Sequence, residues 1–302
     1  MPAEDYAGVW TSIYATIRAF WALTEPRIHA AAQMLEAPME LYYCAELGLD
    51  VFSVHNFQER DPYSNPAQYP ALFAKLTQGE WILPQSQGEY RVTESARTAA
   101  RSVIRAGDDF LESVEVLSVR DLQRMNELLQ RLVKQIQAAP EPPPKWAILK
   151  RFRVADEASP LLAQIREALM DLFAYRDDSH RAAWRTFPVD GLSWNTFGML
   201  WDNTADTPAD MARQAAFRGY TAEDYRRALD TLTARGWVTR SDAPDTFVIT
   251  PIGKKLRDVV EQLTDAYFYI PWASLSRDDL VELLQGLRQL RERLEAVVLA
   301  AH

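Results

Sequence analysis

Apolar residues in the second half of the chain recur at helical spacing. The segments PLLAQIREALMDLFAYR, from Pro160, and LSWNTFGMLWDN, from Leu192, each carry them at intervals of three and four, which predicts two helices. TPADMARQAAFRG, residues 207–219, opens with Thr and Pro and stops at Gly, as a capped helix does. TAEDYRRALDTLTARGW follows, and Asp224 stands three residues after Thr221, which resembles a capping box. A helix, a glycine-containing turn and a helix predict a helix-turn-helix.

Two short apolar runs follow, separated by a polar turn. Trp237–Val238 and Phe247–Val248–Ile249 are separated by SDAPD, a pattern that predicts a β-hairpin. Thr250 and Pro251 begin a further helical pattern. The closing segment carries a stripe of leucines at positions 280, 283, 284, 287, 290 and 294. This stripe has coiled-coil-like spacing, so the helix needs a partner surface.

The first half repeats this order of elements. GEWILPQSQGEYRVTESAR, residues 79–97, corresponds to RGWVTRSDAPDTFVITPIGKK, residues 235–255. Trp81 and Trp237 are 156 positions apart, the threonines that end the second apolar run are 157 apart, and the serines that open each last helix are 158 apart. A near-constant separation indicates an internal repeat with small insertions.

A proline-rich stretch divides the two copies. AAPEPPPKW, residues 138–146, holds four prolines, which exclude a helix interior and predict a stiff, extended linker. We therefore expect a first, degenerate repeat over residues 1–137, a linker over 138–158, and a second repeat over 159–302 that ends in the leucine-bearing helix.

The segment 229–256 resembles the winged helix-turn-helix regulators of the MarR family, through its pattern of leucines, GWV, a turn and VIT followed by G and L. In that family the hairpin is the wing, the helix before it enters the DNA major groove, and the terminal helices form a homodimer. The resemblance implies a mainly α fold with small β-hairpin wings. Because two copies lie on one chain, we expect an intramolecular pseudo-dimer joined by helices 118–137 and 276–299, and further self-association stays open.

The charge pattern decides how far DNA binding follows from this resemblance. The net charge is −9, from 33 Lys and Arg against 42 Asp and Glu, and an acidic chain is repelled by phosphate unless its cations are segregated. The helix 221–235 has a net charge of zero, and the wing tip SDAPDT carries two aspartates. Groove contacts need donors for base edges and phosphates, mainly Arg, Lys, Asn and Gln. The candidate DNA-binding residues are Arg226, Arg227, Arg235, Arg240 and Lys254.

The equivalent helix of the first half is less suited to DNA. It contains Pro66 and Pro70, of which one can occupy a first turn while the other must kink or shorten the helix. Its basic residue is Lys75, and the wing tip PQSQGE carries no positive charge.

Aromatic residues suggest a second candidate site, for a small ligand. MarR-like regulators bind small, often aromatic effectors between the dimerising helices and the winged domain, and aromatic pockets with a few polar groups hold such molecules. The candidate ligand-binding residues are Trp21, Glu25, Arg27, His29, Trp194 and Trp201. A core position for the tryptophans, and capping or salt bridging for the charged group, are the alternatives.

Other classes of function lack a sequence signal. The chain has no apolar run of 18 residues, no secretory pattern at its start, and a single cysteine, Cys44, so we expect a cytoplasmic protein. The four histidines lack ligand spacing, and no GxSxG, phosphate-binding loop or GxGxxG occurs. We expect no catalytic residue, metal or cofactor. Two hypotheses remain: a ligand-responsive DNA-binding regulator, or a degenerate winged helix that binds a small ligand or a protein.

Overall fold

The computed structural model describes residues 6, 8–41, 44, 47–140 and 144–300. Glu141, Pro142 and Pro143 of the predicted linker, and both ends of the chain, lie outside these residues. The labels below follow chain order within the described part.

Helices dominate the fold, and two small antiparallel sheets accompany them. The helices are α1 (Val9–Met34), α2 (Val54–Arg60), α3 (Tyr69–Gln78), α4 (Glu94–Glu112), α5 (Val119–Ala138), α6 (Trp146–Lys150), α7 (Leu161–Trp184), α8 (Gly191–Trp201), α9 (Pro208–Gln214), α10 (Ala222–Ala234), α11 (Pro251–Phe268) and α12 (Arg277–Ala300). The strands are β1 (Val51–Phe52), β2 (Ile82–Pro84), β3 (Tyr90–Val92), β4 (Val238–Arg240) and β5 (Phe247–Ile249). The prediction of a mainly α fold with small hairpins is confirmed.

The strands form two separate sheets, each containing one hairpin. The first sheet has the order β1-β3-β2, with Ile82 opposite Val92 and Phe52 opposite Tyr90. The second sheet pairs β4 with β5, and Val238 lies opposite Ile249. In both sheets one strand face is buried against the helix that precedes the hairpin.

Buried side chains fall into three clusters, which define three parts of the molecule. We call the part around Phe52, Phe73 and Ile82 the first module. The part around Trp194, Tyr225 and Phe247 is the second module. The largest cluster lies between them and is built from α1, α5, α7 and α12 together with the 3-10 turn Ile270–Ser274; we call it the joint.

The leucine stripe of α12 is buried inside the joint. Leu280, Leu283, Leu287, Leu290 and Leu294 are almost fully shielded from solvent by the rest of this chain. The partner surface that the sequence required is therefore supplied largely by α1 and α5.

Polar contacts also tie α12 to α5. Asp279 accepts hydrogen bonds from Arg124, at 2.5 Å, and from Arg131, at 2.6 Å. Burial raises the pKa of Asp279, but the hydrogen bonds from Arg131, Ser276 and Arg124 outweigh it and lower the pKa to about 2. The carboxylate thus stays charged at neutral pH and bridges Arg124 and Arg131 of α5.

Proline governs the start of α3, as the sequence indicated. Pro66 heads the 3-10 turn Pro66–Gln68, and Pro70 occupies the first turn of α3. The α-helix is thereby reduced to ten residues, because neither proline can sit in its interior.

The predicted extended linker differs from the structure in part. Residues Trp146–Lys150 form the short helix α6, which packs on α7. Asp178 accepts hydrogen bonds from the backbone N–H groups of Ala147 and Ile148, at 2.9 and 3.1 Å. The buried carboxylate satisfies two of the donors that a helix start leaves unpaired.

We predict that the burial of Leu287 is a main contribution to the stability of the joint. The change Leu287→Ala should lower the free energy of unfolding by about 2–5 kcal/mol, because it leaves a cavity in a closely packed core. The matched control is Leu299→Ala on the same helix, where the side chain is 78% exposed and the cost should stay within about 0.5 kcal/mol. Chemical denaturation followed by circular dichroism measures both values, and equal costs would contradict the burial.

Candidate functional site

The second module contains a helix-turn-helix followed by a hairpin. Helix α9 is capped by Thr207, the chain turns at Gly219 in the left-handed region (φ 71°), and α10 begins after Thr221. Thr221 and Asp224 form the predicted capping box, with the backbone N–H of Thr221 donating to Asp224 at 2.8 Å and the N–H of Asp224 donating to the Thr221 hydroxyl at 3.2 Å. This fixes the N-terminal end of α10 at the surface.

Helix α10 buries one face and exposes another. Tyr225, Leu229 and Leu232 enter the core of the second module. Glu223, Arg227 and Asp230 lie on the exposed face. A DNA groove that received this face would therefore meet two acidic side chains and one basic side chain. The acids in the first turn favour the helix dipole but reduce attraction to phosphate.

Each of the five predicted DNA-binding cations has a partner within the second module. Arg226 contacts Asp245 at 2.6 Å and Arg227 contacts Asp224. Arg240 lies 3.8 Å from Asp230, Lys254 lies 3.0 Å from Asp258, and Arg235 donates to the carbonyl of Pro188. Exposed ion pairs contribute only about 0–1 kcal/mol, so a phosphate can replace these carboxylates at little cost.

The hairpin tip is acidic. The turn between β4 and β5 exposes Asp242 and Asp245, and Asp245 has a positive φ of 58°. The hydrogen bond from Arg226 lowers the pKa of Asp245. Arg226 thereby joins α10 to the hairpin tip and neutralises one of its two aspartates.

Trp194 and Trp201 of the predicted ligand site lie in the second module. Trp194 is 1% exposed and stacks on Trp184, with ring centroids 5.7 Å apart. Its indole N–H donates to His180 at 3.1 Å, and the guanidinium of Arg257 lies 4.4 Å from its ring centroid. Trp201 donates to Asp258 at 3.0 Å. Both rings thus contact Arg257 in the packing of this module.

His180 is a half-buried, neutral residue in this cluster, and its ring also lies 3.5 Å from Glu261. Burial, together with the charges of Arg257 and Arg176, lowers its pKa to about 3. Its second ring nitrogen lies 3.2 Å from the hydroxyl of Thr264. A histidine held uncharged between two such partners serves packing and orientation of Trp194.

The four predicted ligand residues of α1 lie elsewhere. Trp21 packs in the joint against Phe173, with ring centroids 5.8 Å apart. Arg27 lies over the ring of Phe110 at 4.5 Å, and Glu25 and His29 are exposed. The structure therefore does not bring the six predicted residues together, although Trp21 contacts a residue that lines the cavity described next.

A cavity of about 460 Å³ lies between the two modules and α7. Its volume falls within the range of small-molecule sites. Its walls come from the turn before α3, from α7 and from the turn before α10, and the lining residues are Leu47, Phe57, Arg60, Asp61, Tyr63, Ser64, Gln68, Tyr69, Leu72, Phe173, Asp177, Arg181, Phe217 and Arg218. Sequence reasoning missed this site because the lining residues meet only in the folded chain.

The cavity combines aromatic rings with paired charges. Arg60 contacts Asp177 at 2.9 Å, and Arg218 contacts Asp61 at 3.2 Å. Burial raises the pKa of Tyr69 to about 12, so its hydroxyl is protonated at neutral pH. The third arginine of the walls, Arg181, is paired with Asp178, so the charges of this site balance. This chemistry suits a planar, amphipathic molecule with a hydrogen-bond acceptor.

Thiol and metal chemistry find no support in the described residues. Burial raises the pKa of Cys44 to about 12, which keeps the thiol protonated and unreactive. Within the described residues no three His, Cys, Asp or Glu side chains are grouped so that they could hold a metal ion. In the same part of the chain no helix is long and apolar enough to cross a membrane.

Comparison with known proteins gives one match. Residues 156–300 match the model of a helix-turn-helix family, a span that contains α9, α10 and the second hairpin. Searches of curated proteins and of solved structures gave no match. The second half of the chain thus carries a helix-turn-helix domain, which suggests DNA binding.

Proposed function

We propose that this protein is a DNA-binding transcriptional regulator in which two MarR-like winged helices on one chain form a pseudo-dimer. The observation that carries the proposal is the helix-turn-helix of α9 and α10, which is followed by a hairpin and lies within the matched span. Residues 159–302 are the DNA-reading repeat, and residues 1–137 are its degenerate copy. The single buried thiol agrees with the expected reducing cytoplasm.

Equivalent hydrogen bonds in the two hairpins support a duplication. The backbone N–H of Trp81 donates to Leu76 at 3.0 Å, and that of Trp237 donates to Leu232 at 3.1 Å. The residue before each tryptophan, Glu80 or Gly236, has a positive φ. Two segments 156 residues apart thus make the same turn with the same bonds.

Equivalent caps extend the correspondence to the helices that follow. Thr93 and Thr250 each cap the next helix and donate from the hydroxyl to the carbonyl of the preceding tryptophan, at 2.9 and 3.1 Å. Ser118 and Ser276 each accept from the backbone three residues on, at 3.2 and 3.1 Å. A shared ancestor explains this agreement better than chance.

The joint supports the pseudo-dimer. Helices α5 and α12, which close the two repeats, pack in one core and share the Asp279 ion pairs. In separate-chain relatives of this architecture, such helices join two subunits. The leucine stripe is already buried within this chain, so self-association would need another surface.

DNA contact is assigned to the exposed basic residues of the second module. Arg227 and Arg240 are the best placed, because each side chain is 64% exposed and lies on α10 or on the adjoining strand. Their present partners are surface carboxylates, which phosphate can displace. Arg226, Arg235 and Lys254 complete the proposed set.

We predict that Arg227→Ala and Arg240→Ala each weaken binding to a random-sequence duplex pool at low salt. Removal of one phosphate-binding charge should also reduce the slope of log K against log salt by about 0.9. Fluorescence anisotropy over a salt series measures both quantities. The control is Arg293→Ala, an exposed arginine on α12 outside the module. A decrease in affinity equal to that of the control would favour the degenerate module instead.

We further propose that the cavity between the modules is the site of a small aromatic effector. Five aromatic rings line it, and Phe173 connects it to Trp21, one of the residues that sequence reasoning selected. The three lining arginines each contact a carboxylate, so an acidic group on the ligand would compete with these carboxylates for a guanidinium. An occupant would contact both modules and α7 at once.

We predict that 2-naphthoate, an aromatic carboxylate, binds the wild type and that Phe217→Ala weakens this binding about tenfold, which is the contribution expected of one aromatic ring. Phe217 is 71% exposed, so its removal should leave the fold intact. The control is Ile252→Ala, which removes a side chain 69% exposed on α11. Isothermal titration without DNA measures the affinities. Equal affinities for the two variants would place the ligand outside this cavity.

A further inference from the structure

The two helix-turn-helix motifs touch each other at their turns. The backbone N–H of Asn65 donates to the carbonyl of Arg218 at 2.8 Å, and the side-chain amide of Asn65 donates to the carbonyl of Gly219 at 2.9 Å. Arg218 also pairs with Asp61 at 3.2 Å. We call this contact, between residues 61–68 and residues 217–219, the clasp.

Tyr63 anchors the clasp in the second module. Its ring packs against the hydrophobic cluster of that module, although the residue belongs to the turn before α3. The indole N–H of Trp184 donates to the Tyr63 hydroxyl at 2.9 Å, and the guanidinium of Arg218 lies 5.2 Å from the Tyr63 ring centroid. Tyr63 therefore joins the first module to the second through both a hydrogen bond and ring packing.

Gly191 shows how closely the backbones approach beside the clasp. A Cβ atom built on this glycine would lie 1.9 Å from the carbonyl oxygen of Pro62. The other two of its nearest atoms also belong to Pro62, so the conflict involves the first module and leaves the second module undisturbed. Only a residue without a side chain permits the modules to close this far.

The clasp brings together the N-terminal ends of α3 and α10, the two helices in the groove-reading position. The Pro66–Gln68 turn rises only about 2 Å per residue, and the two steps from Gly219 to Thr221 span at most about 7.6 Å. With the contact between Asn65 and Gly219, the two helix starts lie within roughly 22 Å. Two such helices that read successive major grooves must lie about 34 Å apart.

The clasp also crowds α10 alone. The N-terminal residues of a recognition helix face the base edges, and α10 starts shortly after the Gly219 carbonyl that Asn65 holds. Gln68 lies against Gly219 as well, 3.1 Å from the position of a Cβ atom. Part of the first module therefore occupies space beside the start of α10, where the edge of a DNA major groove would have to lie.

We propose that the clasp is an autoinhibitory contact, which must open before the second module can read DNA. This proposal rests on the DNA-binding function proposed above. The side-chain hydrogen bond of Asn65 is exposed and makes a modest net contribution, although Tyr63 also packs into the second module. The clasp is thus suited to a reversible closed state. A ligand in the adjoining cavity would contact residues on both sides of the clasp.

The test is a wedge at Gly191. Gly191→Ala should separate the modules, whereas Gly198→Ala on the same helix should not, because a Cβ atom there meets Arg257 at an ordinary 3.6 Å. Hydrogen exchange of residues 61–68 reports opening, and anisotropy with a random-sequence duplex pool reports DNA affinity. We expect faster exchange and DNA binding about tenfold tighter for Gly191→Ala alone, the factor that corresponds to breaking one or two hydrogen bonds of the clasp.

A second variant covers the case in which Gly191→Ala does not fold. Asn65→Asp keeps the side-chain oxygen that caps the Pro66–Gln68 turn, but it replaces the amide donor with a carboxylate that faces the Gly219 carbonyl. It should open the clasp and tighten DNA binding in the same direction.

Three outcomes are distinguishable. Opening with tighter DNA binding supports autoinhibition. Opening with unchanged DNA affinity overturns autoinhibition and leaves the DNA-binding function standing. Failure of the wild type and of every opened variant to bind DNA overturns both.

Discussion

The burial of the α12 leucines in the joint is the interaction on which the rest of this molecule depends. These side chains are shielded by α1 and α5, so the closing helix of the chain is held by elements that precede the second module. Thr16 of α1 donates to the carbonyl of Leu287 at 3.4 Å within the same core. Because both modules extend from this shared core, their relative position is set within one chain.

On the duplication proposed above, that constraint gives a plain reason for a degenerate first module. Once two modules are covalently joined, each need not read DNA for the pair to assemble. The first module keeps its hairpin and caps but has prolines at the start of α3 and a hairpin tip without positive charge. Its turn instead contacts the second module through Asn65 and Tyr63, and Arg60 beside it contacts α7. Under that proposal, a change from DNA reading to contact with the second module is an economical account of its sequence.

Local features of the fold could be predicted from the sequence. The Thr221 capping box, the proline-limited start of α3 and both hairpins follow from residue types a few positions apart, which act through the backbone nearby. The leucine stripe predicted a buried face for the same reason. The repeat predicted α5 as a partner of this stripe, but the sequence did not predict α1, which also packs on α12.

The clasp and the cavity could not be predicted in this way. They depend on backbone carbonyls of Arg218 and Gly219, which any sequence possesses, and on residues about 154 positions apart in the chain. Trp194 shows the opposite case, since its type and spacing fit a ligand site while its position is a packed core beside Arg257. The periodicity of a sequence shows which face of a helix is covered, but it does not show whether protein or ligand covers that face.

Amide hydrogen exchange at Asn65 tests most directly whether the two modules are held together. This N–H has its partner, the Arg218 carbonyl, in the other module, so its protection depends on the contact. If the modules are held together, the Asn65 amide of the wild type exchanges far more slowly than an exposed loop amide such as that of Asp242. Exchange of both amides at the same rate would show that the modules are apart in solution and would contradict the closed arrangement described above.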